Sequence, residues 1–473
     1  MSADHPLESQ RIHFIAIGGA AMHNLAIALK RAGHKVTGSD DQIHEPSRGR
    51  LEREGLLPEK MGWDAERITA SLDRIVLGMH AREDNPELAA ATALGLKVVS
   101  YPEFLYEAAA HQRRIVIAGS HGKTTITGMV LHVMSAVEKP VDYMVGAQLQ
   151  GFDCMVQLSE ADTIVIEGDE YLSSPQDLTP KFHHYRPHVA LVSGIAWDHC
   201  NVFPTDENYI GQFTTFLRKM EPSGTVVWCE EDEALAQIVD AVKSERPDLD
   251  WVPYSTPAHR VEGGLTVLEA DKCDVALKMV GAHNVLNMAG ARSVCEALGV
   301  SGGAFIDAIA DFEGAAGRLE RIEDTAERIV FRDFAHAPSK VTATTQSVRD
   351  QFPDAHLIAC FELHTFSSLS KSFLPQYAGS LQGADASMVF YSPAVVKQKR
   401  LPAINEDDIR LGFRRADLVV TTAGEQIENW LAKAEEAAAD GQQIILLWMS
   451  SGRFDGVGLL GKKTGNDRNA HSG

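Results

Sequence analysis

Residues 119–125, with the sequence GSHGKTT, place two glycines, one lysine and three hydroxyl side chains between two apolar segments. A buried strand is predicted at 115–118, and from Thr124 onward apolar residues recur every three or four positions, as in an amphipathic helix. Such a loop directs backbone N–H groups out of the helix start, where a phosphate binds well. Lys123 can neutralise terminal phosphates, and the Thr124 hydroxyl can contact Mg²⁺. The predicted nucleotide-binding residues are Gly119, Ser120, His121, Gly122, Lys123, Thr124 and Thr125.

The match of this loop to the usual P-loop pattern is incomplete, because Ile117 stands where the pattern has its first glycine. A plain strand–turn–helix junction with a surface lysine is the alternative. Nucleotide binding is favoured because the segments on both sides of the loop have the expected character.

Carboxylates and a histidine follow two further predicted strands. Glu167, Asp169 and Glu170 end one of them, and His199 ends the next. Ligands and chemistry collect at the carboxyl ends of strands in open α/β sheets. Thr124, Glu167 and His199 are therefore candidate Mg²⁺ ligands. A solvated acidic loop and a hydrogen-bonded structural histidine are the alternatives.

A second glycine turn, formed by Gly18 and Gly19, follows the first predicted strand. These glycines would let a helix begin close to a pyrophosphate, and Asp40 closes the second strand, where a ribose-binding acid usually lies. A tight turn alone explains two glycines equally well.

Polar residues in the second half of the chain could complete a nucleotide site. Asn284 and Asn287 would lie on one helix face, where amides suit an adenine edge, although capping of the helix by Asn284 is an equal alternative. Arg318 could contact a γ-phosphate and Asp333 a ribose. A surface ion pair is the alternative for Arg318.

Alternating strand and helix patterns run along the 473 residues, a length typical of about three domains. The pattern restarts after HQRR at 111–114 and again near Arg318, so we predict three α/β domains. The net charge of −21 argues against nucleic-acid binding. The chain has no run of 18 apolar residues, no apolar signal segment and no C-x-x-C pair among six cysteines, so we expect a cytoplasmic protein without a membrane span.

Taken in order, these motifs resemble the Mur ligases of peptidoglycan synthesis from about residue 11 to residue 460. The motifs are GSHGKTT, VIEGDEY, the Asp-His pair at 198–199, GAHNVLNMAGA, GRLE at 317–320 and DFAHAP at 333–338. The resemblance implies a Rossmann-like UDP-sugar-binding domain at 1–108, a central P-loop ATPase domain with a parallel-rich sheet at 109–316, and a Rossmann-like C-terminal domain at 317–473. It also implies ATP-dependent, Mg²⁺-assisted formation of an amide bond.

The same resemblance implies roles for individual residues. Lys123, Glu167 and His199 would be catalytic, with Glu167 shared between two Mg²⁺ ions. Asn287, Arg318 and Asp333 would complete the ATP site, and Gly18, Gly19 and Asp40 would bind the UDP-sugar.

The segments IGGAAM and GSDD resemble the branch of the family that binds UDP-N-acetylmuramate. The stretches VIEGDEYLSSPQDLTPKFHHYRP and WMSSGRFDG are similar to members that recycle a cell-wall tripeptide. We therefore expect the acceptor L-alanyl-γ-D-glutamyl-meso-diaminopimelate, with free L-alanine as the alternative. A nucleotide-binding regulatory or scaffold protein is a rival of another class, and the retained Lys123, Thr124, Glu167 and His199 argue against it.

Three departures from the family pattern bear on substrate choice. A family arginine is replaced by Gly317 and a histidine by Ala337. The segment ELHTFSS at 362–368 has no arginine, so His364 or a neighbour would have to hold the acceptor.

Overall fold

The computed structural model describes residues 9–149, 151–199, 202–269, 274–315 and 317–458. These residues form two compact units. The first unit comprises the described residues of Met1–Ile195, Thr205–Ser255 and Asn287–Ile309, and the second those of Ala196–Pro204, Thr256–Leu286 and Ala310–Gly473. Each unit contains a parallel-rich sheet with helices, which confirms the predicted α/β class. No helix within the described ranges is long and apolar enough to cross a membrane.

The N-terminal sheet has four parallel strands in the order β2-β1-β3-β4. Its elements are β1 (Arg11–Ile15), α1 (Ala20–Arg31), β2 (Lys35–Ser39), α2 (Ser47–Arg53), β3 (Arg74–Leu77), α3 (Pro86–Ala93), β4 (Val98–Ser100) and α4 (Tyr101–Ala108). Apart from its first residue, β1 is buried throughout, as expected for an inner strand of a parallel sheet. The Gly18–Gly19 turn therefore lies at the carboxyl end of β1, and Asp40 follows β2.

The second sheet has seven strands in the order β11-β10-β9-β5-β8-β6-β7, all parallel except β7. Its elements are β5 (Arg113–Ala118), α5 (Lys123–Ala136), β6 (Asp142–Met144), β7 (Val156–Gln157), β8 (Thr163–Glu167), β9 (Val189–Val192), α6 (Asp206–Arg218), β10 (Thr225–Cys229), α7 (Glu233–Glu245) and β11 (Asp250–Tyr254). Central strand β5 is almost completely buried and pairs with β8 and β9.

Strand β9 is shorter than the sequence predicts. It ends at Val192, and the chain turns away at Gly194, where φ is 129°. The Ile195 N–H then donates to Asp232 Oδ2 (2.9 Å), so residues 193–199 follow an irregular path.

A small antiparallel sheet follows that the sequence analysis did not predict. It consists of β12 (His259–Glu262), β13 (Leu265–Leu268) and β14 (Val275–Leu277), and helices α8 (Ala282–Ala297) and α9 (Gly302–Ile309) come next. The strands are short and β12 is largely exposed, so their hydrophobic pattern is weak. The Gly263–Gly264 turn, with positive φ at both residues, was the available hairpin signal.

The last sheet has six strands in the order β15-β16-β20-β17-β18-β19, parallel except for edge strand β15. Its elements are β15 (Glu320–Asp324), β16 (Arg328–Asp333), α10 (Pro338–Gln351), β17 (His356–Leu363), β18 (Ala386–Tyr391), α11 (Pro393–Gln398), α12 (Glu406–Phe413), β19 (Val419–Thr421), α13 (Gly424–Glu436) and β20 (Ile444–Met449). Separate hydrophobic clusters form around Phe361 and Trp448 because alternate residues of each strand face opposite sides of the sheet.

The described cysteines are Cys154, Cys229, Cys295 and Cys360, all of them buried free thiols, whereas Cys200 and Cys273 lie outside the described residues.

A buried carboxylate on α3 forms hydrogen bonds with residues from other parts of the N-terminal sheet. Glu87, at the start of α3, is fully buried. It accepts hydrogen bonds from the Ser39 hydroxyl and from the Asp64 N–H (2.9 Å), and His13 Nε2 lies 3.4 Å from Oε2. Burial opposes ionisation, but the hydrogen bonds from His13, Ser39 and Asp64 outweigh it, so the pKa of Glu87 lies below its ordinary value.

Replacing Glu87 with glutamine should lower the free energy of unfolding near pH 7 by about 1–3 kcal/mol, since buried donors lose a charged acceptor. A lowered folded-state pKa stabilises the protein above the unfolded pKa and loses that effect as pH falls through the folded value. The difference between Glu87→Gln and wild type should therefore shrink on acidification, as measured by urea unfolding near pH 7 and near pH 4. An equal loss at both pH values would contradict the ionised state. As a control, Glu107→Gln removes a partly exposed ion pair with Lys97 and should cost less than about 1 kcal/mol.

Candidate active site

The loop between β5 and α5 has the geometry of a phosphate-binding loop. Its backbone is left-handed at Gly119 (φ 123°) and at Gly122 (φ 74°), a conformation that favours glycine. A Cβ at Gly119 would lie 2.2 Å from Ser193 Oγ, and one at Gly122 would lie 2.3 Å from Asn287 Oδ1. Within the described residues no side chain caps α5, an arrangement that directs the first N–H groups of the helix to an anion. Asn287 thus lies against the predicted loop.

Lys123 is the first residue of α5, and its ammonium group turns back over the loop. Its Nζ donates to the Gly119 carbonyl (2.7 Å) and to Glu170 Oε2 (2.7 Å). Burial lowers the pKa of this lysine, but the charges of Glu170 and Asp169 outweigh that effect and raise it. Lys123 is therefore a fixed cation in the loop that would receive phosphates.

Thr124 and Glu167 supply two hard oxygens beside this cation. Thr124 Oγ1 donates to Glu167 Oε1 (3.0 Å), and the Gly146 N–H donates to Glu167 Oε2 (3.0 Å). Both side chains are buried. A hydroxyl and a carboxylate suit Mg²⁺, which keeps several waters and takes few protein ligands. Among the described residues, no three His, Cys, Asp or Glu side chains are grouped to hold a metal, so phosphate oxygens would have to complete this coordination.

Asp40 shapes the Gly18 turn. Its Oδ2 accepts from the Gly18 N–H (2.7 Å), and its Oδ1 accepts from the Asp41 N–H (2.9 Å). Burial raises the pKa of Asp40. A Cβ at Gly18 would lie 2.9 Å from Asp40 Oδ2 and from Ile43, so glycine is needed for this approach. Contact of Gly18, Gly19 and Asp40 with a UDP-sugar stays a prediction.

His199 belongs to the second unit, whereas Thr124 and Glu167 belong to the first. Its backbone is left-handed (φ 54°), and its N–H donates to Asp198 Oδ1 (2.7 Å). Asp198 Oδ2 lies 3.7 Å from His336 Nε2, which attaches this segment to the residues before α10. A metal-binding role for His199 stays a prediction.

Arg318 and Asp333 lie in the second unit at the start of the last sheet. The Arg318 guanidinium carbon lies 4.4 Å from the centroid of the Phe334 ring, a cation–π arrangement on a partly exposed aromatic. Asp333 ends β16, and its Oδ2 accepts from Thr344 Oγ1 (2.5 Å). Their contacts with ATP remain predictions.

A buried acid that the sequence analysis did not select stands beside His364. Glu362, near the end of β17, accepts hydrogen bonds from the Ser450 hydroxyl and from the Phe454 N–H (2.9 Å). Its Oε1 lies 3.4 Å from His364 Nδ1. A Cβ at Gly452 would come within 2.7 Å of both side chains. The position of Glu362 near a strand end was the sequence feature that could have identified it, because strand ends carry ligand contacts in parallel sheets.

Comparison with known proteins gives a consistent result. A family model described as the catalytic domain of the Mur ligase family matches residues 11–113, and one described as the Mur ligase middle domain matches residues 117–295. The UDP-N-acetylmuramate–L-alanine ligase of Mycobacterium marinum is 30% identical over 410 residues, which cover 81% of each chain.

Two solved structures are similar along nearly the whole chain. The murein peptide ligase of Psychrobacter arcticus is 23% identical with a TM-score of 0.66, and the UDP-N-acetylmuramate–alanine ligase of Thermotoga maritima is 19% identical with a TM-score of 0.69. Each match covers 95% of this chain and 97% of the other. These structures share its fold. From the family models, the identity and the fold together, the chain belongs to the Mur ligase family, whose members are ATP-dependent ligases that form amide bonds in peptidoglycan synthesis.

Proposed function

We propose that the chain joins an amine to the lactoyl carboxylate of UDP-N-acetylmuramate, using ATP. The observation that carries this proposal is the charged Lys123 at the start of α5, beside the Thr124–Glu167 pair. The names of relatives such as the M. marinum enzyme support the sugar nucleotide as the donor of the carboxylate.

The proposed reaction has two steps. A carboxylate is a poor acceptor for an amine, so its oxygen first attacks the γ-phosphorus of ATP, and ADP leaves. The product is an acyl phosphate. The neutral amine of the acceptor then attacks the acyl carbon, phosphate leaves, and the nitrogen loses a proton. Phosphoryl transfer mainly needs positioning and neutralisation of charge.

We assign residues to this reaction as follows. The loop N–H groups and Lys123 would hold the β- and γ-phosphates. Thr124 and Glu167 would hold Mg²⁺, and His199 would contribute to a second ion. When bound, Mg²⁺ neutralises charge on the phosphate oxygens. The remaining proposed contacts are Asn287, Arg318 and Asp333 with ATP, and Gly18, Gly19 and Asp40 with the UDP-sugar.

The three proposed domains, at 1–108, 109–316 and 317–473, would each bind one substrate. The N-terminal domain would bind the UDP-sugar, the central domain ATP, and the C-terminal domain the acceptor.

The acceptor we place first is free L-alanine, because the M. marinum relative, which is 30% identical over 81% of the chain, is named for it. This reverses the order expected from the motifs, which favour the tripeptide L-alanyl-γ-D-glutamyl-meso-diaminopimelate. The tripeptide stays the second candidate because of the two stretches that favour it in the sequence, and side chains within the first stretch contact one another. The Lys181 N–H donates to the Tyr171 carbonyl (2.9 Å) and Lys181 Nζ to Asp169 Oδ2 (2.5 Å), directly beside Glu170.

In either case His364 would contact the acceptor. Glu362 faces its Nδ1 (3.4 Å), which leaves the other ring nitrogen for a ligand. Glu362 is itself held by hydrogen bonds from the Ser450 hydroxyl and the Phe454 N–H.

The identity of the acceptor can be tested by measuring ADP release from purified protein with Mg²⁺, ATP and UDP-N-acetylmuramate, with L-alanine or the tripeptide as the acceptor. We expect kcat/KM to be at least about tenfold higher with L-alanine than with the tripeptide, if one pocket excludes the longer ligand. A preference for the tripeptide would establish the second candidate. ATP binding without ADP release in the presence of any acceptor would indicate a regulatory or scaffold protein.

Replacing Lys123 with alanine should abolish turnover, because charge that develops on the transferred phosphate loses its partner. The loss should exceed about a thousandfold in kcat/KM, the scale of removing a main electrostatic contact. Lys139→Ala is the matched control, since Lys139 lies just beyond α5 and donates to the Leu298 and Gly299 carbonyls. Activity of Lys123→Ala within tenfold of wild type would refute the role.

Replacing Glu167 with glutamine should raise the Mg²⁺ concentration needed for half-maximal activity by about tenfold or more, because one anionic ligand is lost. The amide keeps the shape: its single oxygen can still accept from the Gly146 N–H, and its NH2 group can donate to the Thr124 hydroxyl. Glu160→Gln, in an exposed position before β8, is the control. Identical Mg²⁺ titrations of Glu167→Gln and wild type would exclude Glu167 as a ligand.

A further inference from the structure

A closed ring of polar contacts surrounds the Lys123 ammonium group. Lys123 Nζ donates to the Gly119 carbonyl (2.7 Å) and to Glu170 Oε2 (2.7 Å). The Tyr209 hydroxyl donates to Glu170 Oε1 (3.0 Å). The Tyr209 oxygen lies 2.9 Å from Ser120 Oγ, and because the tyrosine proton points to Glu170, the serine donates. The ring begins and ends at two adjacent residues of the phosphate-binding loop.

Three separate elements meet in this ring, and its tyrosine, glutamate and serine are shielded from water. Tyr209 comes from α6, Glu170 follows β8, and Lys123 begins α5. Tyr209 is 0% exposed, Glu170 2% and Ser120 3%. Hydrogen bonds to a charged group are strong, and they gain further strength in a low local dielectric. Glu170 is therefore held from both sides, by the lysine on one oxygen and by the tyrosine on the other.

We propose that Glu170 and Tyr209 are positioning residues that hold the Lys123 ammonium against the loop where the ATP phosphates bind. A lysine carries its charge on a flexible four-carbon stem, so an unrestrained ammonium would have to be ordered on each binding event. Glu170 fixes the ammonium beside the Gly119 carbonyl, and Tyr209 fixes Glu170. The inference rests on the proposed contact of Lys123 with phosphate.

A purely structural role is the competing explanation, in which Glu170 and Tyr209 only compensate a buried charge. The two explanations differ in whether Tyr209 acts through Lys123. Residues that act on a ligand through a shared partner give non-additive effects in a double-mutant cycle, whereas independent effects add.

The test is a cycle of four proteins: wild type, Tyr209→Phe, Lys123→Ala and the double variant. The dissociation constant of a non-hydrolysable ATP analogue with Mg²⁺ is measured by titration calorimetry. Loss of one hydrogen bond to a charged group should make Tyr209→Phe bind the analogue about tenfold more weakly. In the Lys123→Ala background the same change should have less than about a twofold effect. Tyr143→Phe, which removes a hydroxyl bonded to the Cys154 carbonyl, should bind the analogue like wild type.

Each result decides a different point. Equal losses from Tyr209→Phe in both backgrounds, or no loss in either, would overturn the positioning role. Unchanged binding by Lys123→Ala would instead refute the phosphate contact of Lys123, and the inference with it. Neither result depends on the identity of the acceptor. Should Tyr209→Phe fail to fold, Glu170→Gln takes its place in the cycle, since it keeps the side-chain shape while removing the charge that holds Lys123.

Discussion

The parallel pairing of β5 with β8 is the constraint on which the candidate site depends. Ile117, one residue before the end of β5, is the register partner of Glu167, the last residue of β8. Because parallel strands bring their carboxyl ends to one edge, the loop after β5 and the acids after β8 meet there. Thr124 can reach Glu167, and Lys123 can reach Glu170, for this reason. A shift of one residue in this pairing would turn Glu167 to the opposite face.

Charge at this edge is balanced locally, although the chain carries a net charge of −21. Asp169 pairs with Lys181, and Glu170 pairs with Lys123. The pKa of Asp169 is lowered although burial opposes this, since Lys181 and Lys123 favour the ionised form. Glu167 has Thr124 and Gly146 as donors.

The second unit carries a carboxylate of a different kind. Glu362 lies near the end of β17 in the last sheet and joins the segment after β20 to His364. It has no part in the ATP contacts that we propose. Glu362 Oε1 lies 3.4 Å from His364 Nδ1, so a buried acid stands beside this histidine in a segment, 362–368, that has no arginine.

The fold class and most strands of the three parallel-rich sheets can be predicted from the sequence, because inner strands of such sheets are continuous apolar runs. The family can be predicted from the order of the motifs. The sequence also determined the loop at 119–125, since each of its glycines has a left-handed backbone that favours this residue. The partners of the acids at this edge depend on tertiary contacts. Glu167, Asp169 and Glu170 are close neighbours in the sequence, but some of their partners, such as Tyr209 and Gly146, are distant along the chain. The small sheet at 259–277 was not predicted, because short exposed strands have no clear periodic pattern. The contacts of Glu362 were not predicted either, because a single buried charge depends on contacts between remote segments.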